Sequence, residues 1–253
     1  MTAFDPIARY YDLDTSPMRD DLPFYENFAR HAGQPILELG VGTGRVALHL
    51  ARAGFAVTGL DSSPAMLTIA RARAAGVPAR RLALHEVDMR EFDLEQQFEM
   101  ALFALNTFAH LTTREDQIRA LNSTWKHLND GGLLLLDLNN VLGGRYLEQD
   151  RELVLDWVRA DPDTGHTVMK LVSGYVDAVQ QVQHLTFVYD ETDAQGLTRR
   201  TALVFDLRYA YLPEMELLLE RCGFSLEGIY GSYDLEPYTA ESDRLILVAR
   251  RWV

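Results

Sequence analysis

The chain has 253 residues, of which 47% are hydrophobic and 24% charged, and it carries a formal net charge of −13 at a sequence pI of about 4.9. So acidic a composition excludes a protein that grips nucleic acid through its phosphates, because that binding rests on basic surface. No run approaches the ~18 consecutive apolar residues of a membrane span, and the lone Cys222 excludes an internal disulfide and a cysteine metal cluster. The opening MTAFDPIARYYDLD lacks the basic-then-apolar order of a signal peptide, so a cytoplasmic protein is expected. The length suits one large α/β domain or one domain with a sizeable insertion.

Asp5-Pro6 predicts a short helix carrying Ile7, Tyr10 and Tyr11, and Asp20 to His31 a second, with Leu22, Phe24, Tyr25, Phe28 and Ala29 at helical spacing. Ile36 to Asp61 then reads as strand, glycine turn, helix, strand and acid. Ile36, Leu37 and Leu39 form a short apolar run of the kind buried in a parallel sheet. Gly40, Gly42 and Gly44 follow, where a turn takes positive φ or a ligand touches bare backbone. A helix is predicted from about Gly44 to Ala53, closed by Gly54, and a second strand from Phe55 to Leu60 delivers Asp61 at its carboxyl end. Ligands of open parallel sheets sit at such ends, so Asp61 is placed to accept both hydroxyls of a ribose. The dinucleotide fingerprint wants glycine or alanine at its sixth position; here Arg45 stands there, and Glu38 inside the strand end would repel a pyrophosphate.

This pattern, Glu38-Leu-Gly-Val-Gly-Thr-Gly44 followed by Asp61, resembles the class I methyltransferases that use S-adenosylmethionine. The resemblance implies an α/β fold: a Rossmann-like, doubly wound, seven-stranded class I methyltransferase sheet. It implies S-adenosyl-L-methionine as cofactor, held by Tyr11, Glu38, Gly40, Gly42, Thr43, Gly44, Asp61, Ser62, Met66, Asp88, Met89 and Leu105. Within that set Glu38 faces the ammonium of the methionyl group, Asp88 holds the adenine amine and Met89 stacks on the ring. A Tyr-Asp pair like Tyr11-Asp12 contributes to a lid over the cofactor.

Farther along, Ser63 is a good N-cap and Pro64 a good first helical residue for a helix reaching about Ala75. Met66 within it faces either the core or adenine. Strands are predicted at Arg81–Val87, Phe98–Leu105 and Leu133–Leu138, with a helix capped by Thr113 between the last two. Past Asn139 the helical periodicity disappears. Alternating runs at Leu153–Val158, Thr167–Tyr175, Val179–Tyr189 and Thr198–Tyr209 predict a small antiparallel β insertion after the fifth strand. A helix from Pro213 and strands Phe224–Ile229 and Leu245–Ala249 complete the chain. The division expected is an N-terminal helical lid (1–31), a cofactor-binding domain (32–145 and 210–253) and the insertion (146–209). The insertion covers the mouth of the site, forms a homodimer interface, or does both.

Small-molecule N-methyltransferases of the amino-sugar type share the Tyr-Asp, Asp88-Met89-Arg90 and His110-Leu111. The resemblance weakens after the fifth strand, where Asn139-Asn140-Val141 replaces an aromatic and proline-rich segment. A small polar methyl acceptor is expected, modified on nitrogen or oxygen; the alternative is a binding module that keeps the cofactor pocket without turnover. Methyl transfer is an in-line displacement, so the protein mainly aligns the nucleophile and excludes water. His110 and Tyr11 are the candidates for taking the acceptor's proton. Asp137, Asn139 and Asn140 invite comparison with the magnesium site of catechol-type enzymes, but Asn106 stands where its remaining acid belongs, and no metal is expected. Neither an Asn/Asp-Pro-Pro-aromatic motif nor a Pro-Cys nucleophile is present, again excluding a nucleic-acid acceptor.

Overall fold

The structure, a computed structural model, describes residues 4–15, 17–142 and 151–252. The expected boundary between residues 145 and 146 lies outside the described residues. A 3₁₀ turn at Asp5–Ile7 leads into α1 (Ala8–Thr15) and α2 (Asp21–Ala32). Alternating elements follow: β1 (Ile36–Leu39), α3 (Arg45–Ala53), β2 (Val57–Asp61), α4 (Pro64–Arg73), β3 (Leu82–Glu86) and β4 (Phe98–Phe103). A 3₁₀ turn at Thr107–His110, α5 (Arg114–His127) and β5 (Leu128–Asn139) come next. Then β6 (Val154–Ala160), β7 (Thr167–Asp177), β8 (Val182–Thr192) and β9 (Thr198–Arg208) run without a helix, before α6 (Leu212–Arg221), β10 (Phe224–Tyr230) and β11 (Arg244–Arg251).

The first sheet has seven strands in the order β10-β11-β5-β4-β1-β2-β3. β3 through β5 run parallel in space, and β11 is antiparallel to both β5 and β10. Strands buried on both faces carry continuous apolar runs, as in Leu133–Leu136, because helices cover each side. One face packs Tyr25, Val46, Leu50 and Leu67 from α2, α3 and α4; the other packs Leu121, Met215 and Leu219 from α5 and α6. The strand order reverses beside β1, which opens a crevice at the carboxyl ends of β1 and β4.

The second sheet is β6-β7-β8-β9, antiparallel throughout, as the alternation predicts. Its inner face receives α1: Ile7, Tyr10 and Leu13 pack against Val168, Tyr189 and Leu203. Tyr10 stacks on Tyr189 at 4.9 Å, a geometry worth about 0.5–1.5 kcal/mol beyond the area buried. Polar groups tie the same joint. Asp14 accepts from Lys170 at 2.7 Å, Trp157 at 2.8 Å and Tyr189 at 2.5 Å, while Glu191 accepts from Arg9 and Tyr10, each at 2.8 Å.

Two expectations change. The fifth strand starts at Leu128 rather than Leu133: Leu128 already pairs with Phe98, the register then shifts at a bulge across 129–132, and Leu133 rejoins at Met100. β3 is shorter than its apolar run and half exposed, because it is the sheet's edge. Both predicted caps form, Met66 N donating to Ser63 Oγ and Asp116 N to Thr113 Oγ1, each at 3.1 Å.

Candidate functional site

At the crevice beside β1 the chain turns on three glycines in the left-handed region, Gly40 (φ 71°), Gly42 (φ 55°) and Gly44 (φ 85°). All three also face neighbours, Gly44 meeting Leu48 and Ala70. A Cβ on Gly40 would overlap the Thr107 methyl, and one on Gly42 would sit 3.7 Å from the Tyr11 ring. The turn is fastened to β2 by Gly40 N and Val41 N, which both donate to Leu60 O at 2.8 Å. Asp61 completes the joint: Gly42 N donates to its Oδ2 at 2.7 Å and Ser63 N to its Oδ1 at 2.8 Å. Burial pushes the Asp61 carboxyl up, against the lowering effect of those amides.

These residues line a cleft that holds about 770 Å³ with its open mouth, within the range of small-molecule sites. Tyr11, Gly40, Gly42, Asp61, Ser62, Met66, Asp88, Met89, Leu105 and His110 all line it. Glu38, Thr43 and Gly44 stand behind it. Gly44 is the left-handed cap of α3, packed against Leu48 and Ala70. Thr43 is fully buried and donates to Asp12 Oδ1 at 2.8 Å, latching α1 onto the glycine turn. Asp12 also pairs with Arg73 at 2.5 Å, and Ser63 donates to Asp5 at 2.5 Å. The sequence reading omits Phe4, Leu60, Ser63, Val87 and Thr107, which also line the cleft. Of these, Thr107 carries a usable signal, since it follows the end of the fourth strand; Phe4 arrives only through the packing of α1.

Glu38 is the unusual group. It is 3% exposed, and its Oε2 has no hydrogen-bond partner among the described residues. Burial pushes its carboxyl up to about 8, in spite of Arg45 and the Ala47 amide nearby. A buried oxygen left without a donor is costly, and an ammonium arriving over the glycine turn would relieve it. Asp88, at the cleft mouth, is held below the usual carboxylate range by Arg90, whose Nε lies 3.0 Å from both its oxygens. Arg90 in turn reaches Asp116 at 3.1 Å.

The two proton-accepting candidates sit in different surroundings. Tyr11 lies over the glycine turn, and burial, with Glu38 and Asp61 near, pushes its phenol up to about 12. His110 is wedged between Phe4, at 5.0 Å edge to face, and Phe205 of β9, at 5.8 Å. Burial alone drives its imidazole down to about 4, so it is neutral at cellular pH. The other magnesium-like position is filled by protein groups: the fully buried Asp137 accepts from Tyr25, Tyr233, Arg244 and Leu105 N. No cluster of His, Cys, Asp and Glu suited to a metal occurs among the described residues, and no helix among them is long and apolar enough to cross a membrane.

Residues 36–132 match a family described as a methyltransferase domain. The chain is 30% identical over 244 residues to a glycine/sarcosine N-methyltransferase of Halorhodospira halochloris, covering 95% of this chain and 84% of that one. It is 29% identical over 220 residues to the cypemycin N-terminal methyltransferase of a Streptomyces species, covering 87% and 84%. The solved structure of the CcbJ methyltransferase from Streptomyces caelestis superposes with a TM-score of 0.80 at 26% identity, covering 92% of this chain and 95% of that one.

Proposed function

This chain belongs to the class I S-adenosylmethionine-dependent methyltransferases, and we propose that its acceptor atom is the nitrogen of a small polar amine. The cofactor is S-adenosylmethionine, and the residues present fit it: the glycine turn leaves bare backbone beneath Tyr11, Asp61 at the carboxyl end of β2 lines the same cleft and would take the ribose hydroxyls, and the unpartnered Glu38 oxygen lies behind the turn. When bound, it supplies a methyl group already activated on a sulfonium.

The observation that carries the choice of nitrogen is the setting of His110. A hydroxyl acceptor must lose its proton to a base whose pKa lies near the working pH. His110, down to about 4, is too weak for that, and Tyr11, up to about 12, keeps its own proton. An amine needs neither; a fraction is neutral in solution and attacks with its lone pair. Neutral His110 then serves as a hydrogen-bond acceptor that turns the amine toward the methyl, while Phe4 and Phe205 keep water away. The Halorhodospira relative is named an N-methyltransferase, which supports the same reading. The net charge of −13 attracts a cationic amine toward the protein.

The test is direct. The enzyme is incubated with S-adenosylmethionine and paired amines and alcohols of the same carbon skeletons, with products read by mass spectrometry. Methylated amines with unmodified alcohols, and a rate that climbs with pH as the amine deprotonates, are expected. Methylation of alcohols alone would overturn the reading. Outside the site, Leu155, Leu171, Val188 and Ala202 form a cross-strand row on the outer face of the second sheet, and Leu155 is 52% exposed. A second copy of this chain is our proposed cover for it, and sedimentation velocity of the wild type against Leu155→Glu tests that dimer.

A further inference from the structure

We propose that Asp137 is a positioning residue for methyl transfer, whose buried carboxylate holds the left-handed Leu105–Asn106 turn that walls the cofactor cleft. Leu105 (φ 44°) and Asn106 (φ 64°) are consecutive non-glycine residues in the left-handed region. That conformation costs a branched side chain free energy and persists where the surroundings impose it. Here the surroundings are identifiable. Leu105 N donates to Asp137 Oδ2 at 3.2 Å, and Asn106 N donates to the Asp137 carbonyl at 2.9 Å. Asn139 N donates to Asn106 Oδ1 at 2.5 Å, so β5 grips the turn at both Asp137 and Asn139.

The carboxylate itself is fixed from three other directions. Tyr25 of α2 donates to Oδ2 at 2.5 Å and Tyr233, beyond β10, at 3.0 Å, while Arg244 of β11 donates its Nε to Oδ1 at 2.8 Å. A hub of this kind is weak evidence for stability, because taking the charges out of water offsets their attraction. Its geometry has a local meaning instead. The Leu105 amide is the backbone donor to this carboxylate, and Leu105 is the residue shared by two clefts. One is the cofactor cleft; the other, of about 720 Å³ with its open mouth, is bordered by Asp20, Tyr233 and Arg244. Moving Leu105 therefore changes the cofactor wall and its neighbour together.

The inference rests on the cofactor occupying the first cleft. Titration calorimetry with S-adenosylhomocysteine tests it in a double-mutant cycle, on proteins shown to be folded by near-ultraviolet circular dichroism. Asp137→Asn is expected to weaken binding about tenfold, the scale of a lost hydrogen bond to a charged group. Glycine takes φ 44° without cost, so in a Leu105→Gly background the same Asp137→Asn change is expected to cost under about threefold. Should Asp137→Asn fail to fold, Tyr233→Phe removes one donor and leaves the charge paired with Arg244; a loss that Leu105→Gly again absorbs is expected. Unchanged affinity in the folded variant, or the same fold-loss with and without Leu105→Gly, overturns the proposal. Asp61→Ala serves as the control: if it too leaves affinity unchanged, the placement of the cofactor is what has failed.

Discussion

Asp61 braces the glycine turn and is proposed to bind the ribose, and Asp61→Ala separates the two roles by magnitude. Its carboxylate is placed for the ribose hydroxyls and, without any ligand, also receives Gly42 N at 2.7 Å and Ser63 N at 2.8 Å. A hydrogen bond to a charged group is worth about 1.5–3 kcal/mol. Loss of the ribose contact alone therefore raises the Kd for S-adenosylhomocysteine about 10–150-fold, at roughly 1.4 kcal/mol per decade. The two backbone amides lose their acceptor in the free protein as well. Both are partly wetted by the cleft, so about 2 kcal/mol is a fair figure for that loss. For a chain of this length it lowers Tm by about 4–8 °C. The simpler expectation, that Asp61→Ala leaves the fold untouched, ignores this bracing of the glycine turn. Asp61→Asn keeps one carbonyl oxygen and should recover part of the Tm but little of the affinity. Calorimetric titration and differential scanning calorimetry on the three proteins decide. If Asp61→Ala binds S-adenosylhomocysteine within about threefold of wild type while Tm still falls, the carboxylate only braces the turn, and the placement of the cofactor in this cleft fails with it.

Three further outcomes are expected. Because His110 titrates at about 4, steady-state profiles of wild type and His110→Gln should share the same shape from pH 6 to 9, while His110→Ala raises KM for the amine about tenfold, the scale of one hydrogen bond; a wild-type inflection near 6.5 that vanishes in both variants would refute this. Glu38, up to about 8 from 4.5, keeps its proton in the folded chain where the unfolded chain releases it, so stability is fully present below pH 4.5 and is lost as pH rises to about 8. Glu38→Gln removes that loss and should be more stable than wild type by on the order of 3 kcal/mol at pH 9, with little difference at pH 5, in urea unfolding. Gly40→Ala combines a strained φ of 71° with a clash against Thr107, and is expected to abolish detectable S-adenosylhomocysteine binding in a protein that still unfolds cooperatively.

The parts of this molecule that follow from local chemistry are readable in the chain. Glycines at 40, 42 and 44 announce a turn with positive φ, Ser63-Pro64 announces a helix start, and the change from helical to alternating periodicity near Asn139 announces the second sheet. What the sequence does not disclose depends on partners distant along the chain. Glu38 and Asp61 are both acids near one turn, yet burial leaves one oxygen of Glu38 without a donor while Asp61 receives two amides. His110 reads as an ordinary imidazole until Phe4 and Phe205 close around it. Asp137 reads as half of a metal site until Tyr25, Tyr233 and Arg244, from three separate elements, converge on it. Thr43 was placed by its motif at the cofactor, and only the packing of α1 shows its hydroxyl facing Asp12.

The clamp on α1 also sets an order of events during synthesis. Tyr10 meets Glu191 across 181 positions, and Asp14 meets Tyr189 across 175. The ribosome has released β1 to β5 long before β8 exists, so the parallel sheet can collapse while α1 still lacks its contacts with the second sheet. Such distant closures are slow, because the chain entropy is lost before the contact returns anything. Thr43 and Arg73 can engage Asp12 early, but the seat of Tyr11 above the glycine turn is complete only once the antiparallel sheet has emerged. A nascent chain stalled before residue 182 would carry the glycine turn and Asp61 with an incompletely held wall, and it would leave the apolar side of α1, Ile7, Tyr10 and Leu13, open to chaperones.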